Sequence, residues 1–167
     1  MGGVWKCGRD KPYQSGGTLY LAALGYLACT ALNELTYLLT FWIQPTYTNL
    51  NDQSIQSQLT SETSLMLLTT VVLAPIAEEC FFRGLLFRGL YDRSPAAAWV
   101  ASVGLFAAMH VVSFIGVYSP LELAVSLLMY VPAGVILCIT YRRSGNLIAP
   151  IITHAVINLL ASAAVLR

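Results

Sequence analysis

The chain has 167 residues, of which 57% are hydrophobic and only 10% charged, with a net charge of +1 and a mean hydropathy of +0.68. A soluble domain carries roughly 25% charged residues to cover its surface, so an ordinary soluble fold is excluded. Disorder is excluded as well, since it needs low hydropathy and high charge, and so is a nucleic-acid partner, which would need a basic footprint.

What remains is a polytopic protein of the lipid bilayer, in which a helix needs about 20 apolar residues to cross. The first such run, Thr18 to Ile43, follows Lys6, Arg9 and Lys11. It is too long for the roughly 7–15-residue core of a signal peptide, so it reads as a retained span. Glu34 inside it is a lone acid with a structural or interfacial reading. Pro45 to Thr63 is a polar loop without Lys or Arg. Further spans are predicted at Ser64–Leu90, Ala96–Val117, Leu121–Tyr141 and Leu147–Leu166. Short turns join them and no internal repeat is visible. The predicted fold class is therefore all-α, a polytopic transmembrane helix bundle of about five spans. Residues 1–63 supply the first span and the outer polar loop, and residues 64–167 the remaining bundle, within one membrane domain.

Cytoplasmic loops carry an excess of Lys and Arg. Lys6, Arg9 and Lys11 precede the first span, Arg88 and Arg93 flank the turn after the second, and Arg142 and Arg143 follow the fourth. These alternate as one side. Asp52, Glu62 and Glu122 fall on the other, with Arg167 as its lone cation. The N-terminus is thus expected inside and the C-terminus outside. Trp42, Tyr47, Tyr91, Trp99, Tyr118 and Tyr141 lie near span ends and read as an interfacial aromatic belt. Cys7, Cys29, Cys80 and Cys138 form no CxxC pair and read as small buried hydrophobes.

A charge at the centre of a span costs at least about 2.5–3.5 kcal/mol on insertion scales. Such residues occur here in three short patterns: Glu78, Glu79 and Arg83 in the second span, His110 in the third, and His154 with Asn158 in the fifth. One intramembrane histidine is commonly no more than an interhelical hydrogen bond. The whole set is too polar a network to serve packing alone. Glu79 and Arg83 are four apart and can pair on one helix face. Glu78 is turned about 100° away, which leaves it as the free carboxylate. His154 and Asn158 share a side, and Phe106 lies one turn below His110.

A carboxylate, two imidazoles and an amide can activate a water and hold an oxyanion. Glu78, His110 and His154 also make up a His2Glu set of the kind that binds catalytic zinc. Neither HExxH nor GxSxG is present, and Asp10, Asp52 and Asp92 lie outside the spans, so an intramembrane aspartate pair has no residues to use.

These residues carry a resemblance. Glu78-Glu79-Cys80-Phe81-Phe82-Arg83 resembles the EExxxR motif of the CPBP family, Phe106 to His110 its FxxxH motif, and His154 to Asn158 its HxxxN motif. The motifs stand in the family's order from about Leu65 onward. That family includes the type II CAAX prenyl endopeptidases and bacteriocin-processing or bacteriocin-immunity relatives. The resemblance implies an intramembrane endopeptidase with Glu78 and His110 as water activators and His154 and Asn158 as the oxyanion group. Glu79 and Arg83 would support or hold substrate, with Phe106 in the motif beside them. It leaves two mechanisms open: a divalent metal, zinc by its donor set, on Glu78, His110 and His154, or a metal-free pair. Fewer spans than in the prenyl-protein endopeptidases point to a bacterial cytoplasmic-membrane relative acting on a small peptide or membrane-protein segment. Two non-enzymatic readings stand beside it: a catalytically silent immunity or adaptor protein that binds a peptide, and a proton-relay transporter. The lack of an inverted repeat counts against the transporter.

Overall fold

The computed structural model describes residues 15–45, 49, 53–55, 57 and 63–165. Helix α1 is Ser15–Phe41, α2 is Thr63–Tyr91, α3 is Pro95–Met109, α4 is Pro120–Ser144 and α5 is Ile148–Val165. Among the described residues there is no strand, so the architecture is all-helical. Helices α2 and α4 are long and apolar enough to cross a membrane, while α3 and Ile148–Ala164 are apolar but shorter. The outward surface is strongly apolar, with Leu85, Val100 and Leu19 among many large exposed side chains. A contiguous surface of that kind needs an apolar partner.

Helix α2 departs from the plain helix expected over Ser64–Leu90. It has π-helical stretches at Leu68–Leu73 and Cys80–Phe87, separated by an α-helical turn at Ala74–Glu79. Pro75 supplies the local reason for the first. It has no N–H, so the carbonyls of Val71 and Thr70, four and five residues earlier, receive no donor from it. The amide of Ala74 reaches back to Thr69 instead, and the turn widens. Such π segments are frequent at functional sites.

The third span also differs from expectation, because its helix stops at Met109 rather than running to Val117. His110 is its C-terminal cap, not a mid-helix residue. The physical reason is at hand: the His110 Nδ1 lies 2.8 Å from the carbonyl oxygen of Phe106, so the ring satisfies a carbonyl that the helix end leaves open. A 3-10 turn at Val112–Phe114 follows, then Gly116 at φ 86°, a left-handed conformation suited to glycine. Helix α4 restarts the chain. Ser119 and Glu122 form a reciprocal capping box ahead of it, which satisfies two open amides.

Helix α1 packs against α4 and α5, α3 against α4 and the second half of α2, and α5 against the first half of α2. The α1 contact depends on Gly25, where an added Cβ would fall 2.7 Å from Thr140 Oγ1 and 3.0 Å from Thr153 Oγ1. Thr153 donates to the Ala22 carbonyl at 3.2 Å. Small residues and hydroxyls at the crossing let membrane helices approach closely.

Near the arginine-bearing turns, Phe87, Ala98, Cys138 and Tyr141 form one buried cluster with Trp99 and Tyr91 against it. Tyr141 and Trp99 therefore serve packing, contrary to their reading as interfacial belt. Phe82, Phe106 and Leu137 form a second cluster. Cys29 and Cys138 are buried as expected, but Cys80 is exposed. Lys6, Arg9, Lys11, Cys7, Tyr47 and Arg167 lie outside the described residues, as does most of the polar loop.

Candidate active site

Glu78 and Glu79 end the α-helical turn of α2 and diverge. Glu79 is fully buried. Its Oε1 accepts from Arg83 Nη1 at 2.8 Å and lies 3.0 Å from His154 Nδ1. Arg83, equally buried, donates from Nη2 to the Gly134 carbonyl at 3.1 Å, and its guanidinium stands 4.5 Å from the centre of the Phe106 ring. The expected Glu79–Arg83 pair is thus present. It is also larger than expected, because the same carboxylate holds His154. Breaking a buried pair costs about 3–5 kcal/mol, so this link between α2, α4 and α5 fixes where His154 points.

Glu78 stands apart from that link. Its Oε2 has no hydrogen-bond partner and lies 3.9 Å from His110 Nε2 and 3.9 Å from His154 Nε2. These are too long for direct hydrogen bonds and suit one water bridging between the groups. The orientation of each ring follows from its other nitrogen. A carbonyl only accepts, so His110 donates from Nδ1 to Phe106 and neutral His110 presents a lone pair at Nε2. His154 donates from Nδ1 to the Glu79 carboxylate, so its Nε2 also faces Glu78. Backbone and carboxylate partners commonly fix imidazoles in this way at reactive centres.

Phe106 touches both histidines, with ring centres 4.8 Å from His110 and 5.8 Å from His154. Asn158 lies on the same side of α5 as His154, and both line the cavity. Its Nδ2 donates to the Thr70 carbonyl at 2.9 Å, the carbonyl for which Pro75 provides no donor. One of its two amide hydrogens is committed there and the second remains for a ligand. All seven residues singled out in the sequence therefore fall within one cluster. Glu78, Phe106, His110, His154 and Asn158 line a cavity of about 480 Å³, while Glu79 and Arg83 are packed behind it.

Other lining residues carried no signal in sequence. Tyr130 stacks on His110 with ring centres 4.2 Å apart at 19° and donates from its hydroxyl to Asn49 Oδ1 at 3.0 Å. Asn33 of α1 lines the cavity with a buried Oδ1 that has no partner. Its neighbour Glu34, the more conspicuous residue, is exposed. A lone Asn or Tyr in an apolar helix is ordinary, and only the packing of α1 and α4 brings these two to the site.

The donor chemistry of Glu78 Oε2 and the two Nε2 atoms matches zinc. Glu78, His110 and His154 would be the residues to hold such an ion, with Glu78 Oε2 3.9 Å from each Nε2. Among the described residues, no three His, Cys, Asp or Glu side chains are gathered as a ready metal-holding group.

The sequence model of the type II CAAX prenyl endopeptidase Rce1-like family matches residues 60–160 of the chain. That stretch contains every residue of the cluster and leaves out α1. No curated protein and no solved structure matches.

Proposed function

This chain belongs to the type II CAAX prenyl endopeptidase Rce1-like family, and we propose that it is an intramembrane endopeptidase acting on a peptide or membrane-protein segment. The observation that carries the proposal is the partnerless Glu78 carboxylate oxygen facing two imidazole nitrogens inside a cavity. A water among them gives one hydrogen to Glu78 Oε2 and the other to His110 Nε2. Glu78 takes its proton as the oxygen adds to the scissile carbonyl carbon. General-base help of this type is worth about 10²–10⁴-fold. The oxyanion accepts from the second N–H of Asn158, and from His154 Nε2 when that ring carries both protons. Single oxyanion donors are worth about 10²–10³-fold. Protonated Glu78 then delivers its proton to the leaving amine, the carbon–nitrogen bond breaks, and a carboxylic acid and an amine are released.

Glu79 and Arg83 do not reach the water. They hold His154 from behind and give its ring one orientation. In this reading the chain crosses the bilayer about five times, with Lys and Arg turns on the cytoplasmic side. The decisive experiment compares membrane peptides by mass spectrometry in cells carrying wild type or Glu78→Gln. Fragments that vanish in the variant support the proposal. Identical patterns from equal amounts of folded protein would remove it and favour a silent peptide-binding role.

A second form of the site has a divalent ion, zinc by its donors, held by Glu78, His110 and His154. One observation favours it: two nitrogen lone pairs and a carboxylate oxygen face each other with no donor of their own. Zinc would supply Lewis acidity and lower the pKa of a bound water to about 7. Elemental analysis of purified protein should then find about one zinc per chain, lost in His110→Ala and His154→Ala, with activity restored by zinc after chelation. Undiminished turnover in a chelator after dialysis would leave the metal-free route.

A further inference from the structure

The cavity runs from Glu78 and His154 in the middle of the bundle to one of its ends, and that end carries a side. Asn33 comes from the second half of α1, Thr69 and Thr70 from the first half of α2, His110 from the end of α3, and Ser162 from the last turns of α5. Asn49 and Ile55 of the polar loop line it too. All of these belong to the end of the bundle at which the polar loop joins α1 to α2. Arg88, Arg93, Arg142 and Arg143 mark the opposite end. Glu78 is ten residues from Arg88, roughly 15 Å along the helix.

The arginine end is plugged. Trp99 and Tyr141 meet Phe87 edge-on, with ring centres at 5.3 Å and 6.2 Å. Tyr91 packs on the same ring at 5.2 Å, and Arg142 covers Tyr91 at 4.9 Å. Phe82 packs with Phe106 and Leu137, and these two form part of the cavity wall. A chain entering from the arginine side would have to part the plug.

We infer that the substrate reaches Glu78 from the non-cytoplasmic side, as an uncharged stretch of peptide. The side follows from the location of Lys and Arg, which are retained in the cytoplasm. The lack of charge follows from the lining, where among the described residues Glu78 is the only one with a formal charge besides the two histidines. The other polar groups there, such as Asn33, Thr69, Asn158 and Ser162, offer neutral hydrogen bonds. Among the described residues, a charged side chain would be desolvated in the cavity with no partner besides the groups of the reaction itself, which is costly. The substrate class is therefore an exported peptide, or the outer part of a membrane protein, with small polar or apolar residues at the bond cut. This inference rests on the endopeptidase reading for the word substrate, but the direction of access is measurable without turnover.

The test replaces Cys7 and Cys80 by Ser and introduces Ala133→Cys or Ala161→Cys in the cavity lining, with Asp92→Cys in the arginine turn as reference. Each is treated with a membrane-impermeant maleimide in right-side-out and inside-out vesicles. The cavity cysteines should be labelled in right-side-out vesicles and not in inside-out ones, and Asp92→Cys the reverse. Two cavity positions guard against one variant misfolding. Labelling of either from the side that labels Asp92→Cys, or from neither side, overturns the inference. A neutral fluorogenic peptide added to each vesicle type gives the second arm. Cleavage in right-side-out vesicles alone, lost in Glu78→Gln, supports both readings. Outside-only labelling with no cleavage leaves the direction of access standing and removes the endopeptidase.

Discussion

Glu78 and Glu79 are adjacent in the chain and unlike in surroundings, and their variants should differ in kind. Glu78→Gln keeps the size of a side chain whose Oε2 bonds to nothing. It should abolish cleavage while the unfolding temperature in detergent stays near that of wild type. Glu79→Gln weakens the acceptor shared by Arg83 and His154 and leaves a buried cation uncompensated, a loss of about 3–5 kcal/mol. It should lower both the unfolding temperature and activity. A fully stable, inactive Glu79→Gln beside an active Glu78→Gln would reverse the two roles. Tyr130 allows a finer separation, because its ring lies on His110 while its hydroxyl reaches Asn49. Tyr130→Phe should retain most of kcat, since the ring contact worth about 0.5–1.5 kcal/mol beyond area burial persists. Tyr130→Ala should lose kcat more than it changes KM. Equal losses in both variants would show that the hydroxyl, not the stack, matters.

Between α2 and α5 the coupling is through backbone. Pro75 leaves the Thr70 carbonyl without a helical donor, and Asn158 supplies one. Asn158→Leu should then leave a half-buried carbonyl without this partner, a destabilisation of about 0.5–1.5 kcal/mol. In a Pro75→Ala background, α2 regains an amide at this turn, and the effect of Asn158→Leu on stability should shrink. Unfolding of the two single variants and the double variant measures this coupling. Strict additivity would mean that the proline and the amide act separately. The same element shows why the sequence reading of α2 was incomplete. The four-residue spacing of Glu79 and Arg83 exposed their pairing. Widened turns depend on which carbonyls find partners on other helices, and no spacing within α2 reports that.

For the molecule as a whole, α1 is the element outside the family match that nevertheless borders the cavity. Its seat depends on Gly25, and Gly25→Leu would drive a side chain into Thr140 and Thr153. Overpacking of this sort costs typically about 1–3 kcal/mol. The variant should melt earlier and, by shifting Asn33, weaken substrate binding, read as a raised KM with little change in kcat. A normal KM with a lowered melting point would confine α1 to a packing role. The membrane orientation is tested at the same scale. Reporters after Asp92 and Arg143 should register as cytoplasmic and reporters within residues 49–61 as external. A cytoplasmic signal from that loop would invert the orientation and the direction of access with it.

The amino-acid sequence by itself determined the helical class, because long uninterrupted apolar runs lack the alternation of barrel strands and satisfy their backbone in lipid as helices. It also singled out Glu78, Glu79, Arg83, His110 and His154, since an ionisable group inside an apolar run stands out against its neighbours, and with them Phe106 and Asn158, each four residues from a histidine. The separation of Glu78 from the Glu79–Arg83 pair was legible too, because both facts depend on helical angle within one segment. Only the tertiary structure decided that Glu79 also holds His154, that Asn158 serves a carbonyl opened by Pro75, and that Tyr130 and Asn33 join the site. It likewise ended α3 at His110, where a ring-to-carbonyl bond replaces further helix. These outcomes depend on which atoms of different helices are brought within about 3 Å of each other, the range of a hydrogen bond. Hydropathy and spacing along one chain hold no record of that.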